Sequence, residues 1–87
     1  MTPFEESVGR VLDELRHGEV VTYGDVAAEA GFPSAHRAVG QFLKSHQGYP
    51  WWRVVTSTGR LVPGSEASQA DLLRSEGVEV ANGRVVT

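Results

Sequence analysis

The residues best equipped for chemistry stand together in one run, Pro50-Trp51-Trp52-Arg53-Val54-Val55, which holds both tryptophans of the chain beside an arginine. Indoles and guanidinium groups do not cleave bonds. They bind: a π face stacks on a base, and a guanidinium pairs with phosphate or carboxylate. Neighbouring residues of an extended segment point to opposite faces, so the pair reads in two ways. Either both rings fill a core, or at least one lines a surface or a pocket. The ingredients of hydrolysis, by contrast, are scattered. Ser, His and Asp/Glu all occur, but there is no Gly-x-Ser-x-Gly elbow, and His17, His36 and His46 fall at a helix end, on a helix and in a loop. No His-Glu-x-x-His spacing and no phosphate-loop or dinucleotide glycine motif is present, so neither a metal site nor a cofactor is expected. The chain has no cysteine. That excludes disulfides, thiolate nucleophiles and Cys-ligated zinc together.

Charge supplies the second signal. The net charge is −3, which taken whole argues against a polyanionic partner. The distribution says otherwise. After Glu29 no Asp or Glu occurs until Glu66, while Arg37, Lys44, Arg53 and Arg60 lie in that span with His36 and His46. A cationic face on an acidic body follows, as a nucleic-acid partner requires.

These residues need a scaffold, and 87 residues with 40% hydrophobic and 22% charged content suit one domain spanning 1–87. No apolar run approaches the roughly 18 residues of a membrane span, and the N-terminus lacks a signal-peptide pattern. A cytoplasmic monomer is the expectation. Thr2-Pro3-Phe4-Glu5 reads as a capping box, and Phe4, Val8, Val11, Leu12 and Leu15 recur on one helical face until Gly18. Val20-Val21 makes a short extended link. Thr22 and Asp25 open a second helix that ends at Gly31, and after Pro33 a third runs from a Ser34 cap to about Ser45. Two helices joined by a Gly/Pro turn are the sequence form of a helix-turn-helix, although many helical domains make such a corner for packing alone. Ala38 and Gly40 either admit another surface or merely tighten helix packing. The tryptophan run reads as a strand, with Thr56 to Gly59 as a turn and Arg60-Leu61-Val62 as its partner. A fourth helix covers Ala67 to Glu76, with Ala70, Leu72 and Leu73 on one side. Val78-Glu79-Val80 and Arg84-Val85-Val86 flank Asn82-Gly83 as a hairpin. The fold class is mostly α with small β: a winged helix-turn-helix of about four helices plus a short C-terminal hairpin.

Pro-Trp-Trp-Arg-Val-Val resembles the Pro-Cys-His-Arg-Val active-site motif of the alkylguanine-DNA alkyltransferases, with Trp51 where the reactive cysteine stands. That replacement marks the alkyltransferase-like proteins. The resemblance extends over nearly the whole chain, through Thr2-Pro3-Phe4, Gly18 to Ala27, Arg37-Ala38-Val39-Gly40 and Leu72 to Gly77. It implies that the third helix enters the minor groove of duplex DNA, where Ala38 and Gly40 permit close approach and Arg37 fills the gap left by an extruded nucleotide. It further implies that Tyr23 presses on the phosphate beside the target. With Lys44 these residues form the DNA-binding set. A lesion pocket for O6-alkylguanine would comprise Tyr23, Trp51, Trp52, Arg53 and Arg60, with Arg53 bracing its loop. Arg60 is a further candidate for contact with the flipped guanine or its phosphates. Glu76 matches the carboxylate that holds the motif histidine in the enzymes. With Trp52 in place of that histidine, its polar relay is expected to be lost and Glu76 to be structural.

The function implied is a non-enzymatic damage sensor that binds duplex DNA, flips O6-alkylguanine into a Trp-lined pocket and flags it for nucleotide excision repair proteins. Two other classes remain open at this level: a winged-helix regulator reading undamaged sequence, and a protein-interaction module presenting its indoles to a repair partner.

Overall fold

The computed structural model describes residues 1–86. Its elements are α1 (Pro3–Asp13), β1 (Val21–Thr22), α2 (Tyr23–Glu29), α3 (His36–Ser45), a 3-10 turn at Trp51–Arg53, β2 (Val54–Val55), α4 (Glu66–Ser75), β3 (Val80–Ala81) and β4 (Arg84–Val85). α2 and α3 form the helix-turn-helix, and the β3–β4 hairpin forms the wing. No helix among the described residues is long and apolar enough to cross a membrane.

Local sequence explains how the helices begin. Glu5 N–H donates to Thr2 Oγ1 at 3.1 Å and Thr2 N–H to Glu5 Oε1 at 2.9 Å. Thr22 and Asp25 repeat the reciprocal pair at 3.0 and 2.9 Å at the start of α2. Such a cap is worth about 1 kcal/mol. α3 departs from expectation: Ala35, not Ser34, precedes it, and no side chain caps it. The chain spends Phe32 to Ala35 closing the turn, with Phe32 N–H on Ala27 O at 2.9 Å and Ala35 N–H on Phe32 O at 2.9 Å. Ser34 therefore lies one residue too early to reach the free amides of α3.

Two apolar clusters hold these elements. Val8 and Leu12 of α1, Val26 and Ala27 of α2, Val39 and Phe42 of α3 and Val54 of β2 form the first. Val55, Leu61, Ala70, Leu73 and Val80 form the second. Each fully buried Leu or Val contributes roughly 1.5–3 kcal/mol. β2 joins the clusters, because Val54 faces one and Val55 the other. Its partner is β1, in parallel, with Val21 opposite Val54 and Thr22 opposite Val55. This corrects the expected pairing with Arg60-Leu61-Val62. Thr56 to Arg60 does turn back, Thr56 N–H donating to Arg60 O at 3.1 Å, but Arg60 then bridges Arg84 of the wing. The hairpin turn is as read, with Asn82 at φ 55° and Gly83 at φ 73°, the left-handed pair that a tight Asn-Gly turn demands.

α4 is rotated from the expected face. Gln69, Ala70 and Leu73 are buried, and Leu72 is exposed. Gln69 is the buried polar residue of the core, and its amide is fully used. Val62 N–H donates to its Oε1 at 2.7 Å, and its Nε2 donates to Trp52 O and Val54 O, both at 3.1 Å. A buried amide so bonded costs little, whereas an unbonded one costs about 1–3 kcal/mol. It joins α4 to the tryptophan turn and to the loop after Leu61.

Candidate nucleic-acid interface

A cavity of about 840 Å³ opens between α3 and the segments that follow it. Tyr23, Arg37, Ala38, Gly40 and Lys44 border it from the helix-turn-helix, and Trp51 closes it from the 3-10 turn. The structure thus brings the whole candidate DNA-binding set together with Trp51. Arg37 and Lys44 are exposed on α3, whose first turn carries no acidic residue. Tyr23 is half-buried, and burial raises its phenol pKa, which keeps the hydroxyl protonated. A neutral phenol can meet a phosphate without charge repulsion.

Gly40 shows why small residues matter on this face. A Cβ built there would meet only Tyr23 Cε1, at 3.9 Å, an ordinary contact. Internal packing therefore does not require glycine at this position. The open side is the cavity side.

The remaining lesion-pocket candidates lie elsewhere. Trp51 and Trp52 sit in a 3-10 turn rather than in a strand, and their rings meet edge to face with centroids 6.3 Å apart and planes at 89°. Trp52 packs on the second cluster. Its Nε1 donates to Glu76 Oε2 at 2.8 Å, so the carboxylate keeps a partner at this position, although an indole N–H is a donor only and relays no proton. Arg53 points the same way, with Nη2 on Glu76 Oε2 at 2.8 Å, Nε on Glu76 Oε1 at 3.0 Å and Nη1 on Leu15 O at 3.1 Å. Gly18 N–H completes the set, on Glu76 Oε1 at 2.8 Å. Gly18, which was to stop α1, instead follows a turn after Asp13 and gives its amide to α4's terminus. The Arg53 hydrogen bonds, then the Gly18 amide and the Trp52 indole, pull the Glu76 carboxyl pKa down to about 2. The Arg53 and Glu76 side chains are only 13% and 6% exposed, so this is an inner ion pair. Trp52 and Arg53 border a separate groove with Leu12 and Leu15, and Arg60 is on the wing. These three do not line the cavity.

Sequence reasoning missed part of the wall. Tyr49, Thr56, Val62 and Pro63 border the cavity. Tyr49 is seated by Gly9 of α1, where a Cβ would fall 2.8 Å from the tyrosine hydroxyl, and by Phe42, whose ring centroid lies 5.1 Å away. A glycine inside an otherwise apolar helix face was the available signal for that approach. Gln69 had one too, since Gln69, Leu73 and Glu76 share a face at i, i+4 and i+7.

The fold and the setting of α3 beside a cavity define a winged helix-turn-helix DNA-binding domain. Residues 3–78 match the family described as 6-O-methylguanine DNA methyltransferase, DNA binding domain. Alkyltransferase-like protein 1 of Schizosaccharomyces pombe is 37% identical over 92% of this chain and 81% of its own length. The DNA base-flipping protein of Escherichia coli is 39% identical over 90% of this chain and 64% of its own. Among solved structures, S. pombe Atl1 in complex with damaged DNA containing O6-carboxymethylguanine superposes with a TM-score of 0.84 at 36% identity, covering 93% of this chain and 82% of that one. Mycobacterium tuberculosis O6-methylguanine methyltransferase gives 0.74 at 32% identity, over 87% of this chain and 49% of that one. The chain belongs to the DNA-binding-domain family of the 6-O-methylguanine DNA methyltransferases and, within it, to the alkyltransferase-like proteins.

Proposed function

We propose that this chain is a non-enzymatic sensor of alkylated DNA, acting as a single-domain monomer in the cytoplasm. α3 enters the minor groove of a duplex, where Ala38 and Gly40 let the sugar-phosphate walls approach. Arg37 fills the gap left by an extruded nucleotide, Tyr23 bears on the adjacent phosphate, and Lys44 neutralises another. The extruded O6-alkylguanine enters the cavity and packs against Trp51, an aromatic contact worth about 1–3 kcal/mol per base. Trp52 and Arg53 act behind this site by fixing the turn that carries Trp51.

The observation that carries the reading is Trp51 itself. It borders the cavity from the position where the resembled motif holds its thiol, in a chain with no cysteine. No thiolate is present to accept the alkyl group, so the O6–alkyl bond stays intact and the product is the bound complex. Proteins of nucleotide excision repair are the partners that such a persistent complex would recruit. The relatives named for base flipping and the one solved on alkylated DNA support the same reading.

Binding isotherms on two duplexes that differ only in O6-methylguanine against guanine test it. At least about tenfold tighter binding to the lesion is expected, a difference of 1.4 kcal/mol. Equal affinities would remove the sensor function. Alkyl label retained covalently on the protein would overturn its non-enzymatic character.

A further inference from the structure

The wing carries a cation pair that the cavity does not use. Arg60 and Arg84 are directly opposite in an antiparallel bridge. The flanking bonds, Leu61 N–H to Gly83 O at 3.0 Å and Val85 N–H to Gly59 O at 2.9 Å, make this a non-hydrogen-bonded pair. In such a pair the Cα atoms approach to about 4.5 Å and both side chains leave by one face. Leu61 and Val80 occupy the inner face and are buried, with Val85 packed against them. The arginines therefore leave by the outer face, and both are exposed.

Like charges placed opposite one another destabilise a sheet. Among the described residues neither guanidinium forms an ion pair that would relieve this repulsion. Glu79, two residues before Ala81 in the same hairpin, forms none with them either. Arg53 and Arg74 differ: the first is bound by Glu76, and the second donates to Val80 O at 2.9 Å. The pair is also tied to the cavity rim. Thr56, a cavity residue, accepts the Arg60 N–H on its Oγ1 at 2.9 Å and donates its own N–H to Arg60 O at 3.1 Å.

We propose that Arg60 and Arg84 form a phosphate clamp on the wing, holding the backbone of duplex DNA outside the extruded nucleotide. The clamp rests on the DNA-binding reading above, and it moves Arg60 from the lesion pocket, where the flipped guanine or its phosphates were the expected contact, to the backbone outside the extruded nucleotide. It adds affinity without reading damage or sequence, as phosphate contacts do.

The test uses the same two duplexes, titrated between 50 and 200 mM salt, with the full chain and the R60Q/R84Q variant. Removing two phosphate contacts should lower the slope of log affinity against log salt by about 1 to 2 on both duplexes, while the lesion-to-guanine affinity ratio stays unchanged. An unchanged slope overturns the clamp. So does a collapsed lesion ratio, which would place Arg60 at the base. A native chain that binds both duplexes equally yet keeps the slope difference sinks the sensor reading and sustains the clamp; one that binds no duplex sinks both. The free variant should melt at or above the native temperature, since the like-charge pair is gone. A lower melting temperature would assign the arginines to the fold and overturn the proposal.

Discussion

Trp51 and Trp52 share a peptide bond and end in opposite circumstances. Trp51 faces a cavity bordered by the exposed cations of α3. Trp52, with Arg53, converges on one inner carboxylate, Glu76, which also receives the Gly18 amide. The first region is open and suited to a ligand, and the second is saturated and suited to holding the turn still. The contrast teaches that binding and stability are divided here across adjacent residues, so the two can be broken separately.

The largest expected effect comes from the saturated side. Glu76→Ala leaves the part-buried Arg53 without its carboxylate, and breaking an inner ion pair in this way costs up to about 3–5 kcal/mol. Denaturant unfolding should show that loss, a large share of the stability of so small a domain. Trp51→Ala, on the open side, should cost under about 2 kcal/mol while abolishing lesion preference. If both substitutions destabilise alike, the division of labour fails. Acid sharpens the same point with a smaller effect. The folded carboxyl of Glu76 is held near 2, below the 4.5 of a free glutamate. The unfolded chain therefore takes up the proton first as pH falls. Stability from this group is complete above about 4.5 and is lost as pH drops through about 2, on the order of 2 kcal/mol after allowance for solvent screening. A melting profile unchanged between pH 5 and 2.5 would contradict the network.

Arg37→Ala should leave stability within about 0.5 kcal/mol of native, as for an exposed position, yet weaken lesion binding more than about tenfold. Gly40→Ala should act on the fold in the opposite direction from Glu76→Ala. Since its Cβ would meet nothing closer than 3.9 Å, alanine should stabilise α3 by up to about 1 kcal/mol while lowering duplex affinity. A stabilised variant with native affinity would show that the duplex does not approach at Gly40.

Much of this molecule was legible in one dimension. Both capping boxes formed on the residues that spell them, and Asn82-Gly83 adopted the left-handed pair its type permits. The cationic residues of α3 and Trp51 were also readable as one set, because helical spacing and a motif place them. The errors have a common form. Ser34 was one residue from the cap position, Leu72 exchanged places with Gln69, and β2 paired with β1 rather than with Arg60-Leu61-Val62. In each case several local choices were almost equal in energy, and packing against a distant segment selected one.

By itself the sequence determined what depends on neighbours within a turn: where α1 and α2 start, where the hairpin bends, that α3 is cationic, and that this sequence holds no thiol to receive an alkyl group. Only the tertiary structure decided the fate of the two indoles, the four donors gathered on Glu76, the burial of Gln69 and the opposition of Arg60 to Arg84. These join residues far apart in the chain, and no local preference ranks them. They are fixed by the one packing that buries both apolar clusters while leaving their polar groups bonded.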